Sequence, residues 1–112
     1  MKIVLVNLPW NKAGKIGVRA GSRWPHIRND SEGHYLPFPF FLAYAASLLK
    51  GNGFEVVLLD AIAERMPYRR FFQALRRMKP DLVVVETSTV TLEHDLRLLR
   101  KVRLMRSGRA HV

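Results

Sequence analysis

The sequence predicts an α/β fold built on a parallel sheet of three strands with three helices. Two observations lead to this prediction. Three short apolar runs, 2–6, 54–60 and 82–85, have the composition of strands that are buried on both faces. Segments with helical periodicity alternate with them, and such alternation forms parallel sheets with right-handed crossovers. Doubly wound sheets commonly have five or more strands, so the predicted sheet is incomplete.

The third apolar run is the most informative stretch. The turn Lys79-Pro80-Asp81 precedes it, where proline prevents a helix from continuing. Leu82–Val85 is then followed at once by the polar sequence Glu86-Thr87-Ser88-Thr89. Because open parallel sheets bind ligands beyond the carboxyl ends of their strands, these side chains indicate a ligand site. A second interpretation stays open, in which Thr89 or Thr91 only caps the next helix.

The first strand is predicted over Lys2–Val6 and ends at Asn7-Leu8-Pro9, because proline has no N–H group for a ladder. The segment 8–39 shows neither helical nor strand periodicity. Such long connections are usually functional or disordered, and the aromatic residues in this one favour an ordered lid or wrapping loop. Its histidines, His26 and His34, lack further ligands at metal spacing, so no metal site is predicted.

The first helix is predicted over Phe40–Lys50. Its apolar stripe, which we expect to face the sheet, contains Phe41, Tyr44, Ala45 and Leu48, with Leu49 beside it. Gly51-Asn52-Gly53 supplies the left-handed residue that ends such a helix. The second strand then covers Phe54–Asp60 and places Asp60 at its carboxyl end.

Two more helices are predicted. One runs from Pro67 to Met78, with apolar residues at helical spacing on one face and a solvated basic face opposite. The other begins near Leu92, and its apolar face contains Leu92, Leu96, Leu99 and Val102 or Arg103. Glu93 and Asp95 in its first turn suit the helix dipole. The pattern fails after Leu104, so we predict one partial domain over 1–104 and an irregular basic tail over 105–112.

The chain has 112 residues, of which 48% are hydrophobic and 25% charged, a composition typical of one globular domain or part of one. It has no cysteine, which excludes disulfides, thiolate metal sites and an iron–sulfur cluster ligated from within the chain. The composition suits a reducing compartment, and the apolar start is too short for a signal peptide or a membrane span. We therefore expect a cytoplasmic protein without a membrane partner.

The formal net charge is +10. Much of the excess lies in two stretches without an acidic residue, 12–28 and 97–109. A basic balance is compatible with nucleic acid, phosphorylated ligands or an anionic membrane surface. One hypothesis is therefore a nucleic-acid-binding module, in which Trp10 and Trp24 of the basic loop serve as stacking platforms.

Three motifs, taken in order, resemble a known family. The stretch Tyr35-Leu36-Pro37-Phe38-Pro39 and the Ala-rich helix after it are similar to the entry to the first helix in the cobalamin-binding domain of radical S-adenosylmethionine enzymes. Gly53–Ala61 is similar to that family's second strand, with its Gly-aromatic-Glu-Val start and its Asp-Ala end. Pro80–Thr89 is similar to the third strand, which begins with Pro-Asp and ends with Thr-Ser. The resemblance covers about residues 1–103.

The resemblance implies a flavodoxin-like (Rossmann-like) domain that holds cobalamin across the carboxyl ends of its strands. The residues that it assigns to the cofactor are Asn7, Leu8, Pro9, Tyr35, Leu36, Pro37, Thr87, Ser88 and Thr89, and we add Asp60, at the carboxyl end of the second strand, to the predicted cofactor site. The Asp-x-His-x-x-Gly signature of mutase-type cobalamin domains is absent around His26 and His94. Cobalt would therefore carry no histidine from this chain, and no residue is assigned a catalytic role.

The resemblance also implies a partner. The iron–sulfur cluster and S-adenosylmethionine would belong to a radical S-adenosylmethionine catalytic domain that is missing from this chain or lies on another. That domain would carry out a methyl transfer or a related radical reaction. We accordingly expect an amino-terminal fragment, a truncated gene product or one piece of a split protein, with a non-functional fragment as the alternative. A third strand without a neighbour would be a template for self-association.

Two other α/β classes fit less well. In a dinucleotide-binding domain an acid such as Asp60 ends the second strand, but the first connection here lacks Gly-x-Gly-x-x-Gly and is far too long. A phosphate receiver needs clustered acids at its strand ends, and Asn7 and Glu86 do not supply that set.

Overall fold

A computed structural model describes residues 1–19, 24–29 and 36–105. Its elements in chain order are β1 (Lys2–Asn7), β2 (Asn11–Lys12), β3 (Lys15–Val18), β4 (His26–Asn29), α1 (Phe40–Gly51), β5 (Glu55–Asp60), α2 (Tyr68–Met78), β6 (Leu82–Val85) and α3 (Leu92–Met105). The three-stranded parallel sheet with three helices confirms the predicted α/β fold. Helix α3 runs one residue past the predicted boundary, and Tyr35 and residues 106–112 lie outside the described residues.

The parallel sheet has β1 at its centre, in the order β5-β1-β6. β1 pairs with β5 from Lys2 opposite Glu55 to Asn7 opposite Asp60. On its other side it pairs with β6 up to Val6 opposite Val85. This is the second-first-third order of an incomplete flavodoxin-like sheet. Since the strands are parallel, the residues that end all three lie along one edge, called here the carboxyl edge.

The two faces of this sheet are covered by different helices. On one face, alternate strand residues such as Val4, Val6 and Val83 pack with α2 and α3, whose Phe71, Leu75 and Val102 have no exposed surface. On the other face, Ile3 and Leu5 pack with α1. Alternation of side chains along each strand produces this division, and the apolar stripe predicted for α2 is confirmed by the burial of Phe71 and Leu75.

Helix α1 is rotated relative to the prediction. Leu42 is buried in it and packs with Ala45, Ala46 and Leu49 against the sheet. Phe41, Tyr44 and Leu48, which we predicted to face the sheet, are 74%, 68% and 69% exposed. The helix is apolar around most of its circumference, so periodicity does not distinguish its inner face. The small side chains of Ala45 and Ala46 let the backbone approach the strands, and this decides the orientation.

Helix α3 also differs from its predicted apolar face. Its buried residues are Asp95, Leu98 and Val102, which follow one another at helical spacing. Leu92 and Leu96 are instead exposed, and of the predicted stripe only Val102 is buried, with Leu99 partly so. The reason is that the Asp95 carboxylate binds buried polar partners, Thr87, Thr91 and Arg19. The face of α3 that carries Asp95 is therefore the one that packs inward.

The segment predicted to lack strands contains a small antiparallel sheet, β2-β3-β4. It packs on the loop before α2, where Asn11 donates from its side chain to the Met66 carbonyl at 3.0 Å and shares two hydrogen bonds with the Tyr68 hydroxyl. Gly17 is required in β3, because a Cβ atom there would lie 2.4 Å from the Trp10 carbonyl oxygen. The described part of the segment that we expected to be a lid or wrapping loop thus forms a small sheet.

Candidate functional site

A row of polar residues, one from each parallel strand, lies at the carboxyl edge. Asn7 ends β1, Asp60 ends β5 and Glu86 follows β6. The Asn7 side-chain amide donates to Asp60 Oδ1 at 2.9 Å, and the same oxygen accepts the Ala63 N–H at 3.0 Å. By alternation these three residues, called here the edge row, continue the face on which α1 packs.

Two oxygens of the edge row have no hydrogen-bond partner among the described residues. They are Asn7 Oδ1 and Glu86 Oε2, and both atoms are buried. Burial raises the pKa of the Glu86 carboxyl, and the nearby positive charge of Arg19 offsets part of that rise. A buried polar atom left without a partner costs about 1–3 kcal/mol, so a hydrogen bond to either oxygen, from water or from a ligand, would stabilise this edge.

A second polar cluster surrounds Asp95 at the start of α3. Asp95 Oδ2 accepts the hydroxyl protons of Thr87 at 2.6 Å and Thr91 at 2.8 Å. Thr91 also closes the turn before the helix, since its N–H donates to the Ser88 carbonyl at 3.1 Å and its hydroxyl accepts from the Ser88 N–H at 3.3 Å. Thr91 therefore both caps the helix and joins the polar cluster.

Arg19, directly after β3, connects the small sheet to this cluster. Its Nη1 donates to Asp95 Oδ1, and the two side chains are 3% and 1% exposed. Its guanidinium also lies 5.6 Å from the centroid of the Trp10 ring. Among the described residues its Nε and Nη2 atoms have no hydrogen-bond partner. A buried charge is tolerated only when it is paired, so Asp95 is what allows Arg19 to lie here.

The residues assigned to the cofactor fall into three groups. Asn7 and Asp60 are hydrogen-bonded to each other at the carboxyl edge, whereas Thr87 and Ser88 follow β6 and bond to Asp95 and Thr91, with Thr89 exposed beside them. Leu8 and Pro9 are completely buried, so they support the edge from within and present no side-chain surface to a ligand. Leu36 and Pro37 are half-buried just before α1, and Tyr35 lies outside the described residues.

The histidines and tryptophans of the sequence hypotheses have other neighbours. His94 Nε2 lies 3.0 Å from the Pro9 carbonyl, and His26 Nδ1 lies 2.8 Å from the Trp24 carbonyl. Over 1–19, 24–29 and 36–105 there is no group of three histidine or acidic side chains that could hold a metal ion. Trp24 is exposed, whereas the Trp10 ring is half-buried and packed against Gly17 and Arg19.

Sequence reasoning missed Arg19 and Asp95 as members of the site. Asp95 had a usable signal, because it lies three and seven residues before Leu98 and Val102, in phase with buried positions. Thr91 lies four residues before Asp95, and side chains four residues apart on a helix are neighbours. Arg19 had no such sequence signal, because its partner Asp95 is 76 residues away along the chain.

An open cleft adjoins the edge between the β2–β3 hairpin and the loop after β5. Its volume is about 290 Å³, with Trp10, Ile16 and Ile62 among its apolar lining and Lys12 and Lys15 among its charged lining. That volume is at the lower limit of small-molecule pockets, so the cleft admits only part of a large ligand.

Comparison with protein-family models, with curated proteins and with solved structures finds no match to this chain. In the part of the chain that the structure describes, no helix is long and apolar enough to cross a membrane.

Proposed function

We propose that this chain is the cobalamin-binding domain, or part of it, of a radical S-adenosylmethionine enzyme. The observation that carries the proposal is the location of the buried hydrogen-bonding atoms that have no partner. Asn7 Oδ1, Glu86 Oε2 and the Nε and Nη2 atoms of Arg19 are buried and have no hydrogen-bond partner among the described residues. Asn7 and Glu86 end the neighbouring strands β1 and β6, which is the topological switch point where open α/β sheets bind ligands.

The donors and acceptors at the carboxyl edge suit a large ligand that bears many amide groups, as cobalamin does. Asn7, Thr87 and Thr89 would hold it, with Asp60 fixing the orientation of the Asn7 side chain. When bound, cobalamin supplies the cobalt-centred chemistry of methyl transfer or a related radical reaction. Both His94 and His26 already have backbone partners, which supports a site without a protein histidine on cobalt.

The reaction itself belongs, in this proposal, to a catalytic domain outside this chain. That domain would hold the iron–sulfur cluster and S-adenosylmethionine, since a chain without cysteine supplies no thiolate for a cluster. We place the protein in the cytoplasm. Nucleic-acid binding is a weaker candidate, because one of its two stacking platforms, Trp10, is packed against Arg19 and Gly17.

Retention of hydroxocobalamin tests the proposal directly. Purified chain mixed with hydroxocobalamin should keep it through a desalting column, with an absorption spectrum that lacks histidine ligation. Raising salt from 50 to 200 mM should change retention little, whereas binding to nucleic acid would fall steeply with released counterions. Failure of well-folded protein to retain any cobalamin contradicts the proposal.

A variant at the edge shows where cobalamin binds. Thr89→Leu adds bulk at an exposed position beside the edge, and Gln73→Leu makes a comparable change at an exposed position on α2. We expect about tenfold or greater loss of affinity in the first variant alone, with unchanged circular dichroism in both. Ser88 is left intact because it closes the turn before α3. Equal affinities of the two variants would place the ligand elsewhere.

A further inference from the structure

A groove lies between α2 and α3 on the outer surface of the two helices. Its volume is about 590 Å³, about twice that of the cleft beside the β2–β3 hairpin. We propose that this groove, called here the helix groove, binds an acidic amphipathic helix of a partner protein. The proposal goes beyond the proposed function and does not depend on cobalamin binding.

The floor of the helix groove is apolar. Tyr68 and Phe72, one turn apart on α2, line it together with Leu98 of α3. Leu98 is 5% exposed and belongs to the hydrophobic core, and the two rings are half-buried against that core. Because the core holds these side chains in place, the floor is formed before a partner arrives, and binding costs little side-chain entropy.

The wall on the α3 side is basic. Arg97, Arg100 and Lys101 line it, all exposed, and no acidic residue is among the described lining. Arg97 lies 3.9 Å from Glu93, but a pair of exposed side chains contributes only about 0–1 kcal/mol in water. No ion pair joins Arg100 or Lys101 to another described residue. All three cations can therefore bind carboxylates of a partner.

The surface around the groove has the same sign of charge. α2 and α3 carry four arginine or lysine residues each, all of them exposed. Of the two acidic residues on these helices, Asp95 is buried against Arg19, which leaves Glu93 at the surface. A surface of one sign attracts partners of the opposite sign and speeds their association. Charge complementarity therefore favours an acidic occupant.

A helix suits the groove better than an extended segment does. The backbone groups of Phe72, Leu98 and Arg100 lie within helices and bond inside them. An extended segment gains its backbone hydrogen bonds by adding to a sheet edge, and the walls of this groove are helices. A helix satisfies its own backbone, so it can place one apolar stripe on the floor while acids beside that stripe face α3.

Two other anionic partners fit the groove less well. Nucleic-acid bases stack on open ring faces. The Phe72 ring lies beside Phe71, with 5.3 Å between their centroids. The Tyr68 ring lies beside His94, with 5.8 Å between their centroids. A membrane surface is flat, so it would meet the exposed cations of the wall and leave the half-buried floor uncovered.

The test uses the full chain and a synthetic peptide, called here the stripe peptide. It has about 18 residues of leucine, glutamate, alanine and glutamine, with leucine at every third or fourth position so that one side of its helix is apolar. A control peptide has the same composition, with the leucines spread around the helix. Fluorescence anisotropy of the labelled peptides should show at least about tenfold weaker binding of the control, which cannot place apolar and acidic sides correctly at once.

Two double variants of the chain locate the binding site. Arg100→Gln with Lys101→Gln removes two charges from the wall of the groove. Arg76→Gln with Arg77→Gln is the matched control, because it removes two exposed charges from the last turn of α2, outside the groove lining. The first variant should weaken binding of the stripe peptide by about tenfold, and the second by less than about threefold, since distant charges are screened by salt. Circular dichroism checks that both are folded.

Competition distinguishes the kinds of anionic partner. The competitors are a single-stranded oligothymidylate with the same number of negative charges and vesicles of phosphatidylglycerol and phosphatidylcholine. At about 150 mM salt, the stripe peptide should bind more tightly than either competitor. Tighter binding of the oligonucleotide or the vesicles, weakened by the same wall variant, would assign the groove to nucleic acid or membrane and overturn the proposal.

Three further results contradict the helix groove. Equal affinities of the stripe and control peptides would mean that net charge alone drives binding. Equal losses in the two double variants would place the peptide outside the groove. Failure of folded chain to bind the stripe peptide would leave the groove without the proposed partner. Retention of hydroxocobalamin by the same protein is unaffected by each of these results, so the two proposals fail separately.

Discussion

The two faces of the parallel sheet differ in how completely they are covered. On the face of α2 and α3, side chains such as Phe71 and Leu75 have no exposed surface. On the face of α1, the buried hydrophobic residues of the described part of the chain are Ile3, Leu5 and Leu42, and the strand residues Val56, Leu58, Leu82 and Val84 are only partly covered. Helix α1 lies over β5 and β1 and turns Phe41, Tyr44 and Leu48 outward.

This difference assigns the faces separate roles. The covered face supplies most of the hydrophobic burial that stabilises the chain, since that contribution scales with apolar area removed from water. The α1 face carries the edge row and the exposed side chains of Phe41, Tyr44 and Leu48, so in the proposed function it is the face that binds a ligand or a partner. Substitutions on the first face should therefore change stability, and those on the second should change binding or association.

The largest contrast is expected between two aromatic residues on helices. Phe71→Ala removes a ring with no exposed surface from α2 and should lower the free energy of unfolding by about 3–5 kcal/mol. Tyr44→Ala removes an exposed ring from α1 and should change it by no more than about 0.5 kcal/mol. Urea denaturation followed by circular dichroism measures both, and equal losses would show that the α1 face is covered in solution.

The second-largest change in the free energy of unfolding should come from breaking the buried ion pair between Arg19 and Asp95. Asp95→Ala leaves the Arg19 charge without its partner and should cost about 3 kcal/mol. The double variant Arg19→Met, Asp95→Leu removes both charges and should recover most of that loss. Urea denaturation of the unaltered chain, Arg19→Met, Asp95→Leu and the double variant forms a double-mutant cycle. Independent, additive losses would mean that the pair contributes nothing as a pair.

Self-association should be visible but weaker than these effects. In the described residues β6 pairs only with β1, so its other side is a free strand edge that can pair with a second copy. Light scattering after size exclusion should show a mass above that of one chain, which falls to one chain when a further strand is added after α3.

The variant Tyr44→Lys distinguishes the two surfaces that remain open. Since it lies on α1, it should leave the mass unchanged if copies associate through β6. A single-chain mass for the unaltered protein would contradict association through the strand.

The smallest effect concerns pH and Glu86. Because burial raises the pKa of this carboxyl, the folded state holds its proton at a pH where the unfolded chain has released it. The contribution of Glu86 to stability is therefore lost as pH rises above the ordinary glutamate pKa of about 4.3. Glu86→Gln should be more stable than the unaltered chain at neutral pH, and the difference should close below pH 4. A difference that instead grows on acidification would show that Glu86 stabilises as a carboxylate.

Strands and helices of the parallel layer were predictable because each carries its own local signal. Leu82–Val85 was predicted with its observed bounds, since Pro80 precedes it and polar residues follow it. The meeting of Asn7 and Asp60 followed from topology alone, because parallel strands bring their carboxyl ends to one edge. Whether these residues bind cobalamin stays a prediction.

What the sequence did not reveal depends on contacts between distant residues. The strands β2, β3 and β4 have two to four residues each, too few to show alternation, and a glycine lies within β3. Which face of α1 packs on the sheet is decided by the small side chains of Ala45 and Ala46, which let the helix backbone approach the strands. The pairing of Asp95 with Arg19 joins residues that are 76 positions apart, and no local pattern connects the two.

The distance along the chain between Arg19 and Asp95 also sets an order of events during synthesis. Arg19 leaves the ribosome 76 residues before Asp95. At 5–20 residues per second, that delay is about 4–15 s. During this interval the Arg19 guanidinium has not yet met the Asp95 carboxylate. The small sheet β2-β3-β4 therefore lacks its contact with α3. The region around Trp10 therefore stays open to chaperones and proteases until α3 has been made.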